Sequence, residues 1–204
     1  MATAAQPILD ELDTALNQAT ESWRQTALRR IADLFVGNAV SYAGDQVALF
    51  DDVICRLMRD MDRTSLAELS RKIAPAGNAP MNVLASLARH ADIAVSGPVI
   101  ELAKALPDRD LVEIADNSKT DVKILLKIST RAELSDAVTD ALLKRGNAAV
   151  QRNLVDNPNA RMSETGFAKL VMAINGDKNL AAAIAARQDV PEELRLWVAK
   201  TLEA

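Results

Sequence analysis

Aromatic residues are scarce in this chain. They make up 3% of its 204 residues, although apolar residues of all kinds reach 49%. A core of that composition has to be assembled from Ala, Leu, Ile and Val. The stacking platforms that hold single-stranded nucleic acid are correspondingly few. Glycine and proline number 7 each, and no segment alternates apolar with polar residues under β-branched enrichment, so no sheet is expected. The single cysteine, Cys55, excludes an intramolecular disulfide and reads as a small buried hydrophobe in an apolar helical run. The single histidine, His90, lies far from it in sequence, and the two supply no zinc set. The scattered glycines form neither a phosphate loop nor a dinucleotide fingerprint. No nucleophile, base and orienter gather around a serine or cysteine. No cofactor, metal or catalytic residue is therefore expected, and the chain reads as non-enzymatic.

Charge and hydropathy exclude further classes. The net charge is −4, with 11 acids against 8 bases over 1–79 and 17 against 16 over 80–204. Neither part has the strongly basic balance expected of a protein that binds phosphate backbones in bulk. Asp10, Glu11 and Asp13 near the N-terminus lack the basic-then-apolar order of a signal peptide. No apolar run is long enough to span a bilayer, so no membrane contact and a cytoplasmic location are expected.

What the chain does have is a repeat. Apolar triads at i, i+3, i+4 recur as Val99/Leu102/Ala103, Val138/Ala141/Leu142, Phe167/Leu170/Val171 and Leu194/Trp197/Val198, the last three about 28 residues apart. Each follows a helix-starting residue: Ser96, Ser135, Ser163 and Pro191. A second apolar set precedes each triad: Leu84/Leu87/Ala88, Leu125/Ile128, Leu154/Val155 and Ala181/Ile184/Ala185. Each unit thus reads as a helix, a tight turn and a second helix, and such pairs must stack to bury their stripes. The predicted class is all-α: an α-solenoid of helix pairs over 80–204, preceded by an N-terminal helical bundle over 1–79 that packs on it. Pro107 to Asp116 reads as an additional short helix that lengthens the gap between Ser96 and Ser135. The last unit, with Trp197 in a polar surround, is either a cap on the stack or a point where further repeats followed.

Over 1–79 the spacing predicts four helices. Pro7 starts the first, with Ile8, Leu9, Leu12 and Leu16 as its stripe. The second starts near Thr20 or Ser22, with Ser22 and Gln25 as a capping box. The third covers about Asp45 to Met61, and Ser65 with Glu68 caps a fourth that ends at Pro75-Ala76-Gly77-Asn78.

From about Leu106 to Ala204 the chain resembles an alphaproteobacterial helical-repeat family, domain of unknown function 2336. The resembling strings are Leu111-Val112-Glu113-Ile114-Ala115, Leu134-Ser135-Asp136-Ala137-Val138-Thr139-Asp140, Gly146-Asn147, Asn153-Leu154-Val155-Asp156-Asn157, Ser163-Glu164-Thr165-Gly166-Phe167 and Asp189-Val190-Pro191. The resemblance implies HEAT-like repeats and a bacterial origin, and it brings no activity, cofactor or catalytic residue.

The remaining candidate is a surface. Lys119, Lys123 and Lys127 at i, i+4, i+8, with Arg131 after them and Lys144, Arg145 and Arg152 from the next helices, form either a basic strip for an acidic or phosphorylated protein partner or a solvated face. His90 reads as a turn residue capping helix-end carbonyls. Asp108, Asp110, Glu192 and Glu193 read as acids that offset helix dipoles. The expected function is a protein-interaction or regulatory module, with nucleic-acid binding as the alternative and self-association open.

Overall fold

A computed structural model describes Thr14 and residues 19–203. The predicted first helix, with Pro7, Ile8, Leu9, Leu12 and Leu16, lies outside the described residues. Among the described residues the fold is all-α, with twelve α-helices and no strand. The chain divides into two compact units, Met1–Leu106 and Pro107–Ala204. The Pro75-to-Asn78 break falls inside the first.

In the first unit the helices are α1 (Glu21–Asn38), α2 (Gly44–Met58), α3 (Arg63–Ile73), α4 (Met81–Ala88) and α5 (Ile93–Leu102). Neighbours in sequence pair, α1 with α2 and α4 with α5, while α3 packs on both α1 and α5 and α2 packs on α4. Leu28, Phe35, Ile54, Leu57, Ile73, Leu84 and Leu87 fill the interior. Three of the few aromatics gather where α1 turns into α2: the Phe35 ring lies 5.2 Å from Phe50 and 5.9 Å from Tyr42.

The caps of this unit differ from those expected, for one recurring reason. Thr20, not Ser22, caps α1, and Gln25 bonds to Glu21 and to Asp62. Asp62 caps α3 by accepting the Thr64 and Ser65 N–H groups at 2.7 and 3.0 Å. Ser65 is thereby drawn inside the helix, where its hydroxyl donates to the same carboxylate. These bonds, that from the Ser65 hydroxyl foremost, hold the Asp62 carboxyl at about 2, well below its ordinary value. Ser96 likewise starts no helix. Asp92 caps α5 by accepting the Ala94 N–H, and Ser96 is buried with its hydroxyl donating to the Asp92 carbonyl. In each case a residue a few positions upstream wins the cap, and at α3 and α5 it is an aspartate, whose ionised carboxylate is the stronger acceptor.

The second unit contains α6 (Asp108–Asp116), α7 (Val122–Ser129), α8 (Asp136–Lys144), α9 (Ala148–Asp156), α10 (Glu164–Ala173), α11 (Lys178–Ala186) and α12 (Glu192–Glu203). Within this unit α6, α8, α10 and α12 pack one on the next, and α7, α9 and α11 form a parallel series. The starts of the first series are about 28 residues apart. The segment from Pro107 is therefore no insertion. Its helix is a regular member of that series, starting 28 residues before α8, whereas the helix that carries Val99 lies in the first unit. Ser135 and Ser163 do cap α8 and α10, accepting the Val138 and Gly166 N–H groups. Val138, Ala141, Leu142, Phe167, Leu170 and Val171 are buried as their spacing predicts, whereas in the first and last triads Leu102 and Trp197 are half exposed. The chain reverses at Gly146 and Gly176, whose φ values of 66° and 86° are open to glycine at little cost. Asn147 and Asp177 then cap the following helices.

One cap in the first unit comes from another helix. Pro80 precedes α4 and offers no side-chain acceptor. The buried Asp51 carboxylate of α2 takes that place, accepting the Asn82 and Val83 N–H groups at 3.0 and 2.9 Å and the Asn82 amide at 2.8 Å. Asp51→Ala is expected to cost roughly 1–3 kcal/mol, since it strands buried donors, while Asp52→Ala, an exposed neighbour, stays within about 0.5 kcal/mol. Urea unfolding followed by Trp23 fluorescence in a Trp197→Phe background checks both.

Candidate functional site

The basic residues singled out in the sequence separate into two groups. The Asn117 side chain accepts the Lys119 N–H at 3.0 Å and Asp121 accepts the Lys123 N–H at 2.7 Å, so α7 begins only at Val122. Lys119 therefore sits in the preceding turn, and only Lys123 and Lys127 share the helix, which corrects the expected row of three. Lys119 and Lys123 are exposed, while Lys127 and Arg131 are half-buried. Burial holds the Arg131 guanidinium below the usual arginine range, against the opposing pull of Asp108 and Glu133.

Lys144, Arg145 and Arg152 do not extend that strip as free cations. Lys144 pairs with Asp116 at 2.9 Å. Arg152 pairs with Asp156 at 2.8 Å and donates to the Asn179 carbonyl at 3.1 Å. Arg145 folds onto the turn between α6 and α7 and donates to the carbonyls of Ala115, Asn117, Ser118 and Thr120 at 2.5 to 3.4 Å. A guanidinium carries five donors in a fixed fan, which suits it to several carbonyls converging at a helix end.

The same device recurs along the other edge of the unit. Asn157, in the turn after α9, donates its amide to the Ser129 and Arg131 carbonyls in the turn after α7. Arg187, in the turn after α11, reaches back to the Leu154, Val155, Asn157 and Ala160 carbonyls at 2.7 to 3.2 Å. Its side chain is only 7% exposed, and the guanidinium pairs with Asp189 at 2.7 Å and lies 5.8 Å from the Phe167 ring centre. Leu134 and Ala160 join the two earlier turns as a short parallel bridge, and Thr139 donates to the Arg161 carbonyl at 2.6 Å. Periodicity in the sequence shows that Arg131 and Arg187 occupy equivalent turns; it does not show that Arg187 turns inward.

The first unit holds a surface cavity of about 150 Å³ lined by Cys55, Met58, Arg59, Leu66, Ser86, Leu87 and His90. It brings the one cysteine and the one histidine to a common wall, a proximity that their distance in sequence conceals. The His90 ring faces a different partner from the one expected: its Nδ1 accepts the Asp92 N–H at 3.0 Å. Burial, reinforced by Asp51 and Asp52, pushes the Cys55 thiol up to about 11, so at neutral pH the sulfur is protonated and a poor nucleophile. Among the described residues no group of three or more His, Cys, Asp or Glu is placed to hold a metal ion, and no helix is long and apolar enough to cross a membrane.

Among the described residues the protein is all-α, its second unit built from two series of short helices. A family model for DUF2336, described as an uncharacterised protein conserved in bacteria, matches residues 95–204. That span is more than half of the chain, and the chain belongs to this family. No curated protein and no solved structure matches it.

Two outcomes follow from these contacts. Arg187→Lys leaves several buried carbonyls without a donor and is expected to cost about 2–4 kcal/mol, lowering the urea midpoint by roughly 1–2 M. Trp197 fluorescence in a Trp23→Phe background checks it. Alkylation of Cys55 by iodoacetamide follows the thiolate fraction. Its rate should be about a hundredfold below that of a free thiol at pH 8, rise tenfold per pH unit, and level off only near pH 11.

Proposed function

We propose that the chain is a non-enzymatic interaction or regulatory module of the bacterial cytoplasm, in which HEAT-like helix pairs offer a solenoid surface to a partner protein. The observation that carries this reading is the sorting of cations in the second unit. The arginines at the turns serve the fold, and Lys119 and Lys123 stay exposed beside the turn that Arg145 closes. A turn held by Arg145 and bearing two exposed ammonium groups suits an acidic or phosphorylated protein segment, which such groups steer and select by charge.

Affinity capture from the native host, with wild type beside a Lys119→Glu/Lys123→Glu variant, tests the reading. At least one captured protein should bind about tenfold more weakly to the variant, and the difference should shrink as salt rises. Retention of every partner by the variant assigns no role to the two lysines. A mobility shift of duplex DNA at tens of micromolar protein and low salt would instead favour nucleic-acid binding.

A further inference from the structure

Helix α12 is packed differently from the helices before it in the second unit. Val198 is its one fully buried residue among those described, whereas Leu196 is 63% and Trp197 50% exposed. Glu193, Leu196, Trp197 and Lys200 stand at i, i+3, i+4 and i+7, which places them along one stripe. All four are exposed. Read along the helix, the stripe runs acid, apolar, apolar, base.

That order is its own complement when reversed. If two copies of α12 are laid antiparallel about a two-fold axis between Leu196 and Trp197, each Leu196 meets the other chain's Trp197, and each Glu193 meets the other chain's Lys200. An isologous interface demands this property, because one patch has to serve as both surfaces. Antiparallel packing also sets the positive end of each helix dipole beside the negative end of the other.

We infer that this stripe is a homodimer contact, its occupant a second copy of the same chain. Trp197 and Leu196 form the apolar centre, and the Glu193–Lys200 pairs form the rim and fix the register. The inference uses only the stripe and is independent of the partner proposed above. A contact limited to one helix from each copy falls below about 1,200 Å² in total, in the range of weak associations, so a Kd of about 1–100 μM is expected.

Sedimentation equilibrium of the full chain over about 1–300 μM reads the association directly. The wild type should fit a monomer–dimer equilibrium, and Trp197→Ala should raise Kd about tenfold or more. Glu193→Lys and Lys200→Glu each set like charges together at both rims and should leave only monomer. An equimolar mixture of those two variants should dimerise again, one copy of each, and so should the chain carrying both changes. All the substituted positions are exposed, and circular dichroism verifies that each variant keeps its helices. A wild type that stays monomeric throughout would overturn the inference. So would a dimer indifferent to all three single substitutions, or a mixture that fails to reassociate.

Discussion

A helix of eight or nine residues is mostly ends. Each terminus leaves four backbone groups without an intrahelical partner, and the helices of the second unit run from 8 to 12 residues. Nearly every peptide group near a turn must therefore find its partner elsewhere or remain in water. At the N-termini the partners are local: Asp121, Asn147 and Asp177 in one series, Ser135 and Ser163 in the other. At the C-termini they come from a neighbouring turn, through Arg145, Asn157 and Arg187. Stacking buries the apolar rows and satisfies these carbonyls in one step. Each turn is thus conditional on the next, and stability in such an array is a matter of neighbour interfaces.

The apolar rows were legible because burial obeys the helical period whatever the details of the ends. Val138, Leu142, Phe167 and Leu170 lie where the 3.6-residue spacing places them. Starts were legible only where a serine had no upstream rival. Ser135 and Ser163 cap their helices, but Ser65 and Ser96 lose to Asp62 and Asp92. A capping box is a local pattern, and the outcome is a competition among all acceptors within a turn's reach. Counting α5, a helix of the first unit, with the series makes a regular repeat look interrupted.

The direction of a charged side chain was not legible at all. Lys119, Lys144 and Arg145 look alike in a linear reading, each a cation near a helix end. The structure separates them by chemistry. A guanidinium, weakly hydrated and planar, can leave water for several carbonyls at once, and Arg145 and Arg187 do so. An ammonium is compact and strongly hydrated, and Lys119 and Lys123 keep their exposure. The Asp51 cap and the Cys55–His90 wall were hidden for another reason. Each depends on which helices adjoin, and that contact has no local signature.

This sorting limits where recognition can act. A partner that engaged the turns through Arg145 or Arg187 would have to take donors from the carbonyls they serve, at a cost of one or more hydrogen bonds. Exposed apolar residues standing alone, such as Val40 at 93% or Met172 at 81%, call for no special account, since isolated ones are ordinary on protein surfaces. Adjacent residues on one helical stripe differ, because their exposed areas add. A tryptophan is also a large area to leave in water when the chain has so few aromatics. Surfaces free of structural duty, the lysines beside one turn and the stripe of α12, are therefore where selection for binding can operate without loosening the stack.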